Sequence, residues 1–117
     1  MKLSTSRNLI ALSILGLAAA AFSGTSAAAV DAAAAQALAK KSDCLKCHAI
    51  DKTKKAPSYQ KIAAKWKGKA DAEAKLIENV TKAPKVKLED GTEEEHKVVA
   101  TKDMAEIKNI VGWILAQ

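Results

Sequence analysis

The chain has 117 residues, 49% hydrophobic but only 3% aromatic, with a net charge of +6. That length allows one small domain. The basic balance points to acidic partner surfaces, while scattered lysines without an aromatic-basic motif argue against nucleic acid.

The N-terminus reads as an export signal. Lys2 and Arg7 form a basic start, and an apolar run follows from Leu9 to Phe22. The small residues of "SGTSAAAV" then prepare cleavage after Ala28 or Ala29. The apolar run is short for a membrane span, although a retained anchor is the alternative. Residues 1–29 are therefore expected to be a secretory signal, and residues 30–117 a domain exported to a bacterial periplasm with no stable membrane insertion. Cleavage would remove two cations and no acid, lowering the charge from +6 to +4. The remainder, about 88 residues, buries only a modest fraction of its surface. Its aromatics are Tyr59, Trp66 and Trp113. With so few large side chains, a bound cofactor or a partner subunit is expected to fill the middle.

Along the rest of the chain the periods are helical, and no strand pattern stands out. The first helix is expected over 30–41, with Val30, Ala34, Ala37, Leu38 and Lys41 on one face. It stops near Ser42 and Asp43. A second helix starts at Pro57, a residue suited to a first helical position. Tyr59, Ile62, Ala63 and Trp66 form its apolar stripe and Gly68 ends it. A third runs from Asp71 to Lys82 on Leu76, Ile77 and Val80, blocked by Pro84. Residues 83–101 read as a loop with a turn at Asp90 and Gly91. The last helix runs from Asp103 to about Ala116. Asp103 and Glu106 resemble a capping box. Met104, Ile107, Val111 and Ile114 line one face, flanked by Ile110 and Leu115, with Trp113 beside the stripe. The class is all-α, with four short helices.

The stretch "DCLKCHAID", residues 43–51, holds both cysteines and one of the two histidines. A Cys44–Cys47 disulfide would close a very small loop and constrain little. A redox dithiol would want a preceding strand, and a zinc site lacks a fourth ligand of the usual kind. Cys-x-x-Cys-His is the attachment signature of c-type haem. Two thiols three residues apart can bond the two former vinyl groups on one porphyrin edge, and the next residue's imidazole swings under the iron. On this reading Cys44 and Cys47 carry the thioethers of one covalent haem c, and His48 is the proximal iron ligand. A non-haem thiol protein is the competing class.

The chain resembles the small bacterial class I monohaem cytochromes c. The resemblance spans 30–117 and rests on "DCLKCHAID", "APSYQKIAAKWKG" and "EIKNIVGWILAQ". It implies the class I cytochrome c fold, with four helices around one haem. The first and last helices cross behind the haem, with Leu38 meeting Ile110 or Trp113. It also implies that the carbonyl of a proline after the motif, here Pro57, accepts the proximal imidazole N–H. Members of the family usually supply a distal Met before the last helix. This chain offers only Met1, which leaves with the signal, and Met104, which reads as core. The position the family's spacing assigns to that Met, counted back from Trp113, holds His96. The resemblance therefore points to His96 as distal axial ligand, with a vacant distal side and Met104 as alternatives.

A second imidazole donates more strongly to ferric iron than a thioether, so a low potential is expected. Glu93, Glu94 and Glu95 would push the same way if close, or one of them would accept the other N–H of His96. Lys46, Lys52, Lys54, Lys55, Lys82, Lys85 and Lys87 would surround the exposed haem edge and steer acidic redox partners. The expectation is a periplasmic one-electron carrier and not an enzyme. A haem protein that binds O₂, NO or CO at an open distal site is the alternative.

Overall fold

A computed structural model describes residues 29–117. The expected signal, apart from Ala29, lies outside the described residues. Four helices are formed: α1 (Ala32–Lys41), α2 (Tyr59–Trp66), α3 (Ala72–Lys82) and α4 (Met104–Leu115). A single 3₁₀ turn at Cys44–Lys46 follows α1, and two short strands, β1 (Lys85–Lys87) and β2 (Glu93–Glu95), lie between α3 and α4. None of the described helices is long and apolar enough to cross a membrane.

Helix α4 is the hub against which the other three pack. Its Ile110 and Val111 are fully buried, and Ile107, Trp113 and Ile114 nearly so. Ile110 thus sits at the centre of the stripe instead of beside it. Met104, expected on that stripe, is 49% exposed because the first turn of α4 projects beyond the core. The cap also differs in detail. Asp103 accepts the Ala105 N–H at 2.8 Å, while Glu106 pairs with the Thr101 hydroxyl, whose oxygen accepts the Asp103 N–H at 3.1 Å. The acid at the third helical position still serves the cap, but through an inserted threonine.

Helix α1 starts at Ala32, two residues later than expected. Asp31 caps it, accepting the Ala34 N–H at 2.9 Å. The buried face is Ala35, Leu38 and Ala39, not Ala34, Ala37 and Lys41. An alanine-rich helix has no strong apolar stripe, so the tertiary contact chooses its face. That contact is a close approach to α4. Asp31 N–H donates to Asn109 Oδ1 at 2.8 Å, and Asn109 Nδ2 donates back to the Asp31 carbonyl at 2.9 Å. Val30, outside the helix, lies over Gly112, with its Cγ2 3.1 Å from where a Cβ would stand.

Helix α2 begins at Tyr59, not at Pro57. Ser58 is the cap and accepts the Lys61 N–H at 3.1 Å. Pro57 therefore precedes the cap, which frees its carbonyl from helical bonding. Helix α3 starts behind Asp71 and buries Leu76 and Val80, with Ile77 at the margin. It ends at Ala83, a non-glycine residue with φ 50° that turns the chain toward Pro84.

The stretch 83–101 is not all loop. Strands β1 and β2 form an antiparallel hairpin in which Lys85 faces Glu95 and Lys87 faces Glu93. Three glutamates have poor intrinsic strand preference. Opposite-charge pairs across the hairpin offset it, and the turn is well made. Gly91 adopts φ 86°, and Asp90 accepts the Thr92 N–H at 2.9 Å and its hydroxyl at 2.6 Å. Those bonds hold the Asp90 carboxyl below its ordinary pKa. After β2 the chain is pinned back by Val99 N–H on the Val80 carbonyl (2.9 Å) and Ala100 N–H on the buried Ser42 hydroxyl (2.8 Å).

Two stability predictions follow from these junctions. Ala83→Gly removes a side chain from a left-handed position and should raise the unfolding free energy of the holoprotein by about 1 kcal/mol. Ser42→Ala should lower it by about 1 kcal/mol by deleting the bond to Ala100. Denaturant titrations followed by far-UV circular dichroism check both.

Candidate haem site

The site begins where α1 stops. Ser42 ends the helix, and Asp43, at φ 60°, reverses the chain into the 3₁₀ turn carrying Cys44. Lys46 N–H bonds to the Asp43 carbonyl, and Cys47 and His48 N–H both bond to the Cys44 carbonyl. This tight winding brings the two thiols and the imidazole to one side. Both cysteines are free and half-buried.

The loop after His48 then folds against the motif. Ala56 N–H donates to the Cys47 carbonyl at 3.0 Å, Tyr59 N–H to Ala49 at 2.9 Å and Gln60 N–H to Ile50 at 3.1 Å. The first two N–H groups of α2, which have no partner inside the helix, are thus satisfied by the motif's own loop. The result sets Pro57 under His48, with the imidazole Nδ1 2.6 Å from its carbonyl oxygen. A carbonyl can only accept, so Nδ1 carries the proton and Nε2 is left with its lone pair. Burial lowers the His48 pKa more than the Pro57 bond raises it, which favours the neutral ring a metal ligand needs.

Tyr59 stacks on the His48 ring with centroids 5.2 Å apart and planes 20° apart. Its own edge meets Trp113 at 5.2 Å. The ring of Tyr59 is buried, and among the described residues its hydroxyl has no hydrogen-bond partner within ordinary distance. Burial raises its pKa, with the Cys44 thiol beside it adding to the effect. Burial likewise raises the Cys44 pKa. From the sequence Tyr59 is one apolar position of a helix stripe. Its place directly after the capping serine, which turns it toward the motif, was the missing signal.

Between these groups lies a cavity of about 390 Å³. Ile62, Leu76, Val80, Val99, Ile110 and Ile114 supply its apolar wall, and Cys44, His48 and Pro57 lie at one side. A smaller adjoining cavity of about 90 Å³ is lined by Cys44, Cys47, His48 and His96. The chain thus surrounds an apolar space instead of filling it, as a bound macrocycle requires.

His96 stands across that space. Its N–H bonds to the Pro84 carbonyl at 2.8 Å, which fixes the residue at the end of β2. The two imidazole centroids are 6.2 Å apart with planes at 49°. Two opposed imidazoles sharing a metal ion at about 2 Å from each nitrogen would have centres roughly 6 Å apart. The His96 Nδ1 is 2.8 Å from the Lys97 carbonyl, so its Nε2 is also the free nitrogen. The neighbouring glutamates do not take this proton, although Glu94 and Glu95 line the smaller cavity. Met104 lines neither cavity.

Other expected groups are dispersed. Lys46 pairs with Asp43 at 3.0 Å, Lys54 donates to the Leu45 carbonyl at 2.6 Å, and Lys82 pairs with Glu78 at 3.5 Å. Lys52, Lys55 and Lys85 are exposed, and Lys87 lines the cavity. Lys61, Lys65 and Trp66 also line it, which periodicity alone could not reveal. No group of three or more His, Cys, Asp or Glu able to hold a metal ion occurs among the described residues.

A family model described as cytochrome c matches residues 32–117. Among solved structures, the class 1 cytochrome MtoD from Sideroxydans lithotrophicus ES-1 is similar, with 54% identity and a TM-score of 0.72 over 75% of this chain and 97% of that one. Nitrosomonas europaea cytochrome c552 shares 26% identity at a TM-score of 0.57, over 69% of this chain and 96% of its own. Cytochrome c-551 of Pseudomonas aeruginosa is 42% identical over 45 residues, which is 38% of this chain and 43% of that relative's length. The cofactor of this family is one covalent haem c with its iron, and Cys44 and Cys47 fit its attachment motif. Matched from the first turn of α1 to the last residue, and folded as the class I members are, the chain belongs to the cytochrome c family.

Proposed function

We propose that this protein is a periplasmic one-electron carrier whose iron is held between His48 and His96 and poised at a lower potential than in relatives with a Met ligand. The observation that carries the proposal is the pair of imidazoles 6.2 Å apart across the cavity, each with its Nδ1 on a backbone carbonyl. The periplasmic location rests on the export-type sequence of residues 1–29.

When bound, haem supplies an iron that alternates between ferric and ferrous states. The residues of this chain do the rest. Cys44 and Cys47 would tether it through thioethers. The Pro57 carbonyl holds the His48 ring in one orientation and makes its Nε2 a better donor. The Lys97 carbonyl does the same for His96. A second imidazole in place of a thioether favours the ferric form and lowers the potential. The apolar wall from Ile62 to Ile114 keeps water away, while exposed lysines near the motif attract acidic partner surfaces. On this reading the protein acts by exchange of electrons with redox partners.

A second reading is a haem protein that binds a small ligand on the distal side. It is favoured by one contrast. The His96 ring is oriented by the carbonyl of its neighbour Lys97, whereas the His48 ring is held by Pro57 and stacked on Tyr59.

His96→Met should raise the midpoint potential by about 0.1 V or more in a spectroelectrochemical titration; no rise overturns the low-potential assignment. The wild-type ferric protein should be low-spin without a Met-to-iron charge-transfer band, and His96→Ala should turn it high-spin and open to CO once reduced. A wild type that is already high-spin and takes CO freely favours the second reading. Cys44→Ser combined with Cys47→Ser should leave the exported chain without a cooperative thermal transition, because the cavity then lacks its filling. A sharp transition in that apoprotein, followed by circular dichroism, would refute the cofactor-centred core.

A further inference from the structure

Trp66 lines both the haem cavity and a separate surface groove. The groove, about 590 Å³, lies between the end of α2, the start of α3 and the end of α4. On the inner side Trp66 borders the cavity with Ile62 and Leu76. On the outer side it meets Lys67, Gly68 and Lys69. The indole therefore spans the wall between cofactor space and solvent.

Two cations sit on that indole. The Lys65 Nζ is 5.7 Å and the Lys69 Nζ 5.2 Å from the ring centroid, both within cation–π range. The backbone sets this up. Helix α2 ends at Trp66, and Gly68 at φ 74° turns the chain so that Lys69 N–H bonds the Trp66 carbonyl at 3.1 Å. Among the described residues, no acidic side chain lines the groove. Asp71 and Glu73 flank the lining residue Ala72 without lining it.

We propose that this corner is a second electron-exchange face, distinct from the lysines around the haem motif, at which an acidic patch of a redox partner docks on Lys65, Lys67 and Lys69 and Trp66 carries the electronic contact into the haem cavity. The inference rests on the electron-carrier reading. In the reducing direction one electron leaves the partner, which is oxidised, and converts iron(III) to iron(II); no bond or proton changes hands. Trp66 is not itself oxidised. Two ammonium groups on its ring make an indole cation unfavourable, so the indole serves as a bridge of dense bonded atoms across the wall. The charge complementarity fixes the occupant's chemistry: carboxylates over the three lysines, around an uncharged patch facing the indole.

The test uses the ¹⁵N-labelled holoprotein and two anionic probes. Hexacyanochromate(III), paramagnetic and redox-inert here, should broaden the Trp66 indole N–H and the Lys67–Lys69 amides. Lys67→Glu with Lys69→Glu should abolish that broadening. The same double variant should slow oxidation of the ferrous protein by hexacyanoferrate(III) by about threefold to tenfold at low salt. Trp66→Leu should slow it as well when rates are compared at equal driving force. Lys54→Glu with Lys55→Glu reports the haem-motif lysines separately. Broadening confined to residues 46–55, together with an unchanged rate in Lys67→Glu/Lys69→Glu, overturns the second face and leaves the carrier reading intact. A wild-type holoprotein that exchanges no electrons with the reagent removes both.

Discussion

The contact between the His48 imidazole and the Pro57 carbonyl, at 2.6 Å, is the point on which the rest of the structure turns. It requires Pro57 to sit outside a helix, with its carbonyl free, and that in turn requires α2 to be capped by Ser58. Once α2 starts at Tyr59, its first N–H groups have nowhere to go inside the helix. They bond to Ala49 and Ile50, immediately after the histidine. A loop that begins at Cys47 and ends at Gln60 is thereby closed on itself, and the haem motif gains a fixed floor. Tyr59 then fills the space beneath the ring and transmits its position to Trp113 on α4. The proximal half of the site is rigid because backbone polarity and aromatic packing both demand the same geometry.

The distal half is built on different terms. His96 leaves a hairpin of two opposite-charge pairings and residues whose strand preference is low. Its position is held by a main-chain bond to Pro84, and downstream by the bonds of Val99 to the Val80 carbonyl and Ala100 to the Ser42 hydroxyl. Those last two link the loop to α3 and to the end of α1, so the distal segment is tied to both sides of the motif. Where Tyr59 stacks on His48, the fully exposed strand β2 leads into His96. Such an element belongs to the less stable end of a fold's range, and the two sides of the cavity differ accordingly.

Much of this was legible in advance, for reasons that differ by element. The spacing of Cys44, Cys47 and His48 carries its own chemistry, and the thin supply of aromatics pointed to a cofactor at the centre. The stripe of α4 and the stop at Pro84 are strong local signals, and both elements lie where they were expected. The face of α1 was not legible, because a run of alanines presents nearly the same side chain all round; the Asp31–Asn109 bonds decide it. The hairpin was hidden because glutamates and lysines say little about strands until paired. Met104 looked like core by periodicity, yet periodicity cannot tell where a helix overhangs its neighbours. Tyr59 and Trp66 were visible only as apolar positions. What each faces depends on how the loop and α2 meet the motif.

A carrier of electrons gains most from a site that changes little between its two charge states. The arrangement here meets that demand through its hydrogen bonds. Both imidazoles have Nδ1 on a carbonyl, an acceptor that neither titrates nor changes charge with the iron. A carboxylate in that place would deliver more electron density, but it would also couple the site to pH through its own proton. Glu93, Glu94 and Glu95 stand beside His96 in sequence, and the chain still gives the proton to Lys97's backbone. Under the proposed function this choice keeps a low potential as a property of the ligand pair alone. The acids are left to the hairpin, where Glu95 and Glu93 face Lys85 and Lys87, and to the field around the cavity, which salt screens.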